Sequence, residues 1–134
     1  MINCLDISKS FGNKNVLNKI SFHVAPNQIY GIVGPNGSGK TTLCRVLAGV
    51  IRPETGSFRI NGLDGIKDIE KIRKQLGYMP QIFSLYSDLT VMENLKFFAR
   101  IYGVNKQDFK KRSETLLSFT RLAKFTKRQA GKLS

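Results

Sequence analysis

Apolar and polar positions alternate from Ile2 to Ile7, as they do in a half-buried strand. Ser10-Phe11-Gly12-Asn13 reads as a turn, and alternation returns over Lys19-Ile20-Ser21-Phe22-His23-Val24 as a second strand. Ala25-Pro26-Asn27 makes the next turn. Gln28-Ile29-Tyr30-Gly31-Ile32-Val33 is an apolar run that predicts a buried strand, and Leu43 through Ala48 predicts the start of a helix that ends near Gly49. Arg52-Pro53-Glu54-Thr55-Gly56 is a turn, followed by a short strand, Ser57-Phe58-Arg59-Ile60, closed by Asn61-Gly62.

Beyond the turn the periodicity changes. Lys67 to Gln75 predicts a short charged helix with Ile69 and Ile72 inward. Leu76-Gly77-Tyr78-Met79 predicts a short strand, which Pro80 stops because it cannot donate to a sheet. Thr90 with Glu93 forms a capping box, and Val91, Leu95, Phe98, Ile101 and Tyr102 recur at helical spacing up to Gly103. A second helix is expected from Asn105 to about Arg121, with Phe109, Leu116 and Leu117 inward. Strands thus dominate up to Met79 and helices follow, with no internal repeat and no low-complexity linker.

Composition narrows the class. The 134 residues and 41% hydrophobic content suit one globular domain or a piece of one, and no apolar run reaches the roughly 18 residues a membrane span needs. The start, Met1-Ile2-Asn3-Cys4-Leu5-Asp6, lacks the basic and apolar regions of a signal peptide. Cys4 and Cys44 are isolated thiols, expected to be buried as small apolar residues. Together these features point to the cytoplasm. The net charge of +13 is uneven: residues 1–66 hold 7 Lys+Arg against 3 Asp+Glu, and residues 67–134 hold 15 against 6. Nucleic-acid binding, attraction to an anionic membrane and a solvated face all fit this bias; the solvated face is favoured, because charge runs are most often solvated.

The chemistry concentrates in Gly34-Pro35-Asn36-Gly37-Ser38-Gly39-Lys40-Thr41-Thr42, between the predicted buried strand and the predicted helix. This is the phosphate-loop pattern G-x-x-x-x-G-K-S/T in the context it requires. Glycines at 34, 37 and 39 let the backbone turn successive N–H groups inward as a nest for phosphate oxygens. The helix opening near Lys40 adds its unsatisfied N–H groups and positive dipole end. Lys40 can reach the β- and γ-phosphates, and the Thr41 hydroxyl can ligate Mg²⁺.

Three further stretches carry a family resemblance: Lys9-Ser10-Phe11-Gly12 upstream of the loop, Tyr78-Met79-Pro80-Gln81 downstream, and Leu133-Ser134 after a basic segment. With the phosphate loop they resemble the ATP-binding subunit or domain of ABC transporters along the whole chain. Gly77 through Gln81 to Arg100-Ile101-Tyr102-Gly103 looks most like the exporter branch with multidrug and antibiotic efflux ATPases. The resemblance implies an α/β P-loop NTPase fold of ABC type. Residues 1–81 would hold an antiparallel β-subdomain and a partial RecA-like core, and residues 82–134 the start of a helical subdomain. It implies ATP and Mg²⁺ as cofactors. Phe11 would stack on adenine, where the family more often has Tyr. Gly34, Pro35, Asn36, Gly37, Ser38, Gly39, Lys40, Thr41 and Thr42 would bind the nucleotide, with Lys40 and Gln81 in catalytic roles and Thr41 and Gln81 on Mg²⁺. Leu133-Ser134 would begin the signature motif, 52 residues after Gln81 at Leu133.

The resemblance also implies partners: a membrane-spanning subunit docking near residues 82–103, where Ile82, Phe83, Leu85 and Tyr86 lie, and a second nucleotide-binding domain closing head to tail. No nucleic acid is expected. The chain would sit in the cytoplasm, peripheral to the inner face of the membrane, its ATPase coupled to export. The family's Mg²⁺-binding Asp, catalytic Glu and switch His follow the signature; no run of four apolar residues leads into Asp-Glu here, and His23 precedes the phosphate loop and reads as structural. The expectation is therefore a truncated N-terminal fragment of the domain that binds MgATP weakly and does not turn it over by itself. A soluble ABC ATPase acting on ribosomes or nucleic acid, and a non-catalytic remnant, stay open as alternatives.

Overall fold

One strand pairs on both its edges and organises the first part of the chain. The computed structural model describes residues 1–82 and 84–133. β1 (Ile2–Phe11) is antiparallel to β2 (Lys14–Val24) on one side and to β3 (Thr55–Ile60) on the other. β4 (Leu63–Asp64) extends the sheet to the order β2-β1-β3-β4. Asn61-Gly62 joins β3 to β4 with positive φ at both residues, as a tight hairpin turn requires. Cys4 stands opposite Phe22 on one side and Phe58 on the other, so the predicted alternation buries one face.

Against that face pack α1 (Lys40–Leu47) and α2 (Ile69–Gln75). Their Leu43, Val46 and Ile72 join Cys4, Ile7, Leu17, Phe58 and Ile60 in one core. Ile7, Val46 and Ile72 are fully enclosed, and each such aliphatic side chain contributes about 1.5–3 kcal/mol by leaving water. Both pairings of β1 shift register between Cys4 and Ser8. Hydroxyls fill in there: Ser21 Oγ accepts from the Asp6 N–H at 2.8 Å, and Ser8 Oγ from the Lys19 N–H at 3.0 Å.

The chain divides into two compact units, Met1–Tyr78 and Met79–Ser134. The second is built on α3 (Val91–Ile101) and α4 (Lys106–Phe119), followed by short 3₁₀ turns at Ala123–Phe125 and Ala130–Lys132. The capping box forms: Thr90 Oγ1 accepts from the Glu93 N–H at 3.2 Å, and Glu93 Oε2 accepts from the Thr90 N–H at 2.8 Å. Asn105 caps α4 through the Asp108 N–H at 2.8 Å. Buried Asn94 ties down the loop before α3: it accepts from the Tyr86 N–H and donates to the carbonyls of Tyr86, Leu89 and Thr90.

Several expectations fail, each for a local reason. Gln28 to Val33 forms no strand: no described residue pairs with it, and Ile29 and Val33 stand fully in solvent. Gln28 Oε1 accepts from the Ala25 N–H at 3.1 Å, and Tyr30 stacks on Phe22 with centroids 5.4 Å apart. Leu76 to Met79 is likewise unpaired. A strand exists only with a ladder partner, and apolar periodicity does not supply one. Cys4 is buried as expected, but Cys44 is exposed, because Leu43 and Val46 take the sheet-facing side of α1. Ile101, Tyr102 and Leu116 also face solvent; Val91, Leu117 and the half-buried Leu95, Phe98 and Phe109 cover the second unit instead.

Candidate nucleotide site

The phosphate loop rests against β2 at Val16 and Leu17 and runs directly into α1. Gly39 is the buried N-cap of α1, with φ 91° and ψ 0°. A Cβ there would lie 2.7 Å from the Val16 carbonyl oxygen and 2.9 Å from Leu17 Cδ2 of β2, so only glycine fits against that wall. Gly37 also takes positive φ, 79°. Residues 34–38 are exposed, which leaves the loop's inner face open to a ligand.

Two features of the loop suit an anion. No side chain caps α1, and its first turn holds no acid, so its N-terminal N–H groups and positive dipole end remain for a ligand. Lys40 Nζ spans the loop, donating to the carbonyls of Gly34 at 2.8 Å and Pro35 at 2.7 Å. An ammonium group beside the free N–H groups at a helix start is chemistry that suits a polyphosphate. Thr41 is exposed at the second position of α1, presenting a neutral hard oxygen of the kind Mg²⁺ accepts. Among the described residues no three His, Cys, Asp or Glu side chains gather to hold a metal. A single hydroxyl oxygen suits an Mg²⁺ ion carried mainly by phosphate oxygens and water.

Phe11 stands at the end of β1, half-exposed, paired across the hairpin with Lys14. The same hairpin brings Val16 against Gly39, so the ring and the phosphate loop are presented by neighbouring parts of one unit. Around Phe11 the structure shows two residues that the sequence reading passed over. Lys9 Nζ lies 5.4 Å from the Phe11 ring centroid, and Glu54 holds both Lys9 Nζ (3.3 Å) and the Ser10 N–H (3.1 Å). Glu54 lies 44 residues from Ser10, and no local signal connects them. The Ser10 N–H, followed by Lys9, holds the Glu54 carboxyl below the usual glutamate range.

Gln81 belongs to the second unit, exposed in the loop before α3. Leu133 closes that unit, half-buried, with its N–H on the Ala130 carbonyl at 3.2 Å. Phe83 and Ser134 lie outside the described residues, so the first of the docking residues' aromatics and half of the expected signature start carry no structural account. The pair Asn3–His23 bridges β1 and β2, in keeping with a structural role for the histidine.

The family model described as ABC transporter matches residues 17–134. The probable multidrug ABC transporter ATP-binding protein YbhF of Escherichia coli (strain K12) is 51% identical over 106 residues, 79% of this chain and 18% of that protein. The Nod factor export ATP-binding protein I of Paraburkholderia xenovorans (strain LB400) is 40% identical over 116 residues, 87% of this chain and 38% of that protein. This chain thus spans well under half the length of these relatives. A solved ATP-binding subunit of an ABC transporter superposes with a TM-score of 0.88 at 29% identity, over 99% of this chain and 55% of that one. A dimeric ATP-binding cassette bound to ADP and Pi shares the fold, with a TM-score of 0.85 at 22% identity over 100% of this chain and 63% of that one. Taken with the phosphate loop on an uncapped helix beside an antiparallel sheet, these likenesses have one meaning: the chain belongs to the family of ABC transporter ATP-binding proteins.

Proposed function

We propose that this chain binds MgATP as the nucleotide-binding part of an ATPase that drives export through a membrane-spanning partner. The observation that carries the reading is the phosphate loop itself: glycines at positive φ, an uncapped α1, and Lys40 Nζ across the opening. Each residue then has a role that follows from its chemistry. The N–H groups at the start of α1 and Lys40 hold the phosphates and take up the charge that spreads over their oxygens as the terminal phosphoryl group leaves. Lys40 exchanges its two carbonyl contacts for phosphate oxygens, a trade of neutral acceptors for charged ones that favours the bound state. Phe11 offers a ring face to adenine. Mg²⁺ would neutralise phosphate charge, and Thr41 would supply it a hydroxyl oxygen; by the family resemblance Gln81 would offer an amide oxygen for the ion or the attacking water.

Export rather than import is supported by what the relatives' names say of them, multidrug transport and Nod factor export. Docking to a membrane subunit is supported by the apolar surface that follows Gln81: Ile82 is 76% exposed, and Leu85 and Tyr86 are exposed beside it. No helix among the described residues is long and apolar enough to cross a membrane. A second nucleotide-binding domain, closing head to tail, would complete the site. The test uses the intact protein with its membrane partner in sealed vesicles. ATP-dependent movement of substrate is expected, and Lys40→Ala abolishes it. Undiminished transport with Lys40→Ala, or ATP hydrolysis unaffected by the presence of the membrane partner, would sink the proposal.

A further inference from the structure

The third strand stops short of the end of β1. Pairing of β1 with β3 ends at Ser8–Thr55, while Lys9, Ser10 and Phe11 run on paired with β2 alone. A two-stranded extension is marginally stable in water. At this one, a single residue takes the place of the missing strand. The Glu54 N–H donates to the Ser8 carbonyl at 2.9 Å. Its carboxylate then reaches one step further, with Oε2 accepting from the Ser10 N–H at 3.1 Å and Oε1 from Lys9 Nζ at 3.3 Å. Lys9 and Phe11 lie two apart on a strand and so point to the same face. The Lys9 ammonium, 5.4 Å from the ring centroid, covers one side of Phe11, and the ring remains 52% exposed.

We infer that Glu54 is a positioning residue for the nucleotide's base: by clamping the Ser10 backbone and the Lys9 ammonium, it holds the Phe11 ring in place with one face free for a purine. The inference rests on the reading that Phe11 stacks on adenine. An exposed ion pair contributes little by itself. The Glu54 contacts matter for another reason: a carboxylate on a backbone N–H is a charge-assisted bond, and it removes motion that binding would otherwise have to freeze out. Nothing in the clamp touches the phosphate loop, so its effect is confined to ligands that carry a base.

The test compares ATP with inorganic triphosphate by calorimetry on the intact protein. Glu54→Ala is expected to weaken ATP about 3- to 10-fold, the span of one stacking contact, and to leave triphosphate unchanged. The triphosphate arm also shows that the variant is folded. Glu54→Gln, whose amide oxygen still accepts from Ser10 but without the charge, falls between the parent and Glu54→Ala in ATP affinity. In a Phe11→Ala background, Glu54→Ala adds nothing, because the two act as one unit. Equal losses for ATP and triphosphate, full additivity with Phe11→Ala, or a Glu54→Gln as weak as Glu54→Ala would each overturn the clamp. Phe11→Ala weakening ATP while Glu54→Ala does not would overturn the clamp alone; Phe11→Ala without effect on ATP overturns the stacking reading and the clamp with it.

Discussion

Gly39→Ala is the substitution that the phosphate-loop geometry constrains most sharply. Its φ of 91° with ψ of 0° lies in the left-handed region, where an L-residue costs about 1–3 kcal/mol. The added Cβ would also stand 2.7 Å from the Val16 carbonyl oxygen, 2.9 Å from Leu17 Cδ2 and 3.3 Å from Val16 Cγ1. Val16 and Leu17 belong to β2, so backbone must move, and overpacking of this kind costs a further ~1–3 kcal/mol. The sum is about 2–6 kcal/mol, a factor of at least roughly 30 in an equilibrium constant. It appears either as lost stability or, if the loop yields first, as lost ATP affinity. Gly37→Ala is the control: its φ is 79°, but nothing lies within 4 Å of the added Cβ, so only backbone strain of about 1–2 kcal/mol applies. Urea unfolding and ATP calorimetry on the intact protein, with the two losses added for each variant, measure both terms. If Gly39→Ala costs no more than Gly37→Ala, the wall formed by β2 is not what fixes the loop.

Ile72→Ala removes a fully enclosed side chain that packs on the sheet; unfolding should register a loss of about 2–5 kcal/mol. Maleimide labels Cys44 rapidly in the native state and Cys4 only after denaturation, because Cys4 is buried and its thiol is pushed up to about 11; equal native rates would contradict the assigned burial. Asn94→Leu frees the Tyr86 N–H and three carbonyl contacts, so it should cost about 1–3 kcal/mol and raise hydrogen exchange at residues 86–90. Thr90→Ala should cost ~0.5–2 kcal/mol through the lost cap. Glu93, its partner, is held below the usual carboxyl range by the Thr90 N–H and hydroxyl. Its contribution is therefore present above the unfolded value and lost as pH falls through the depressed folded one, so the stability gap between parent and Glu93→Gln narrows in acid.

What could be read from the sequence divides by how local its cause is. The Thr90–Glu93 box, the Asn61-Gly62 hairpin and the loop from Gly34 to Thr42 rest on residues a few positions apart, and all three form as their spacing demands. The core face of β1 was legible for the same reason, because alternation is a local property. Gln28 to Val33 misleads because an apolar run states only that burial is wanted, while a strand also needs a partner. Cys44 misleads because helix phase is set by which neighbours claim the sheet, and Leu43 and Val46 do. Glu54 was invisible because its partners at Lys9 and Ser10 meet it only through the pairing of β1 with β3.

The central claim is that Gly34–Thr42, with Lys40 across its mouth, is an ATP site. Equilibrium binding of MgATP to the intact protein, compared with Lys40→Ala, tests it most directly. Removing one ammonium from a triphosphate is worth up to ~4 kcal/mol at an effective dielectric of about 20, so the parent should bind ATP at least about tenfold more tightly than the variant. Equal affinity for ATP in the two proteins would contradict the account.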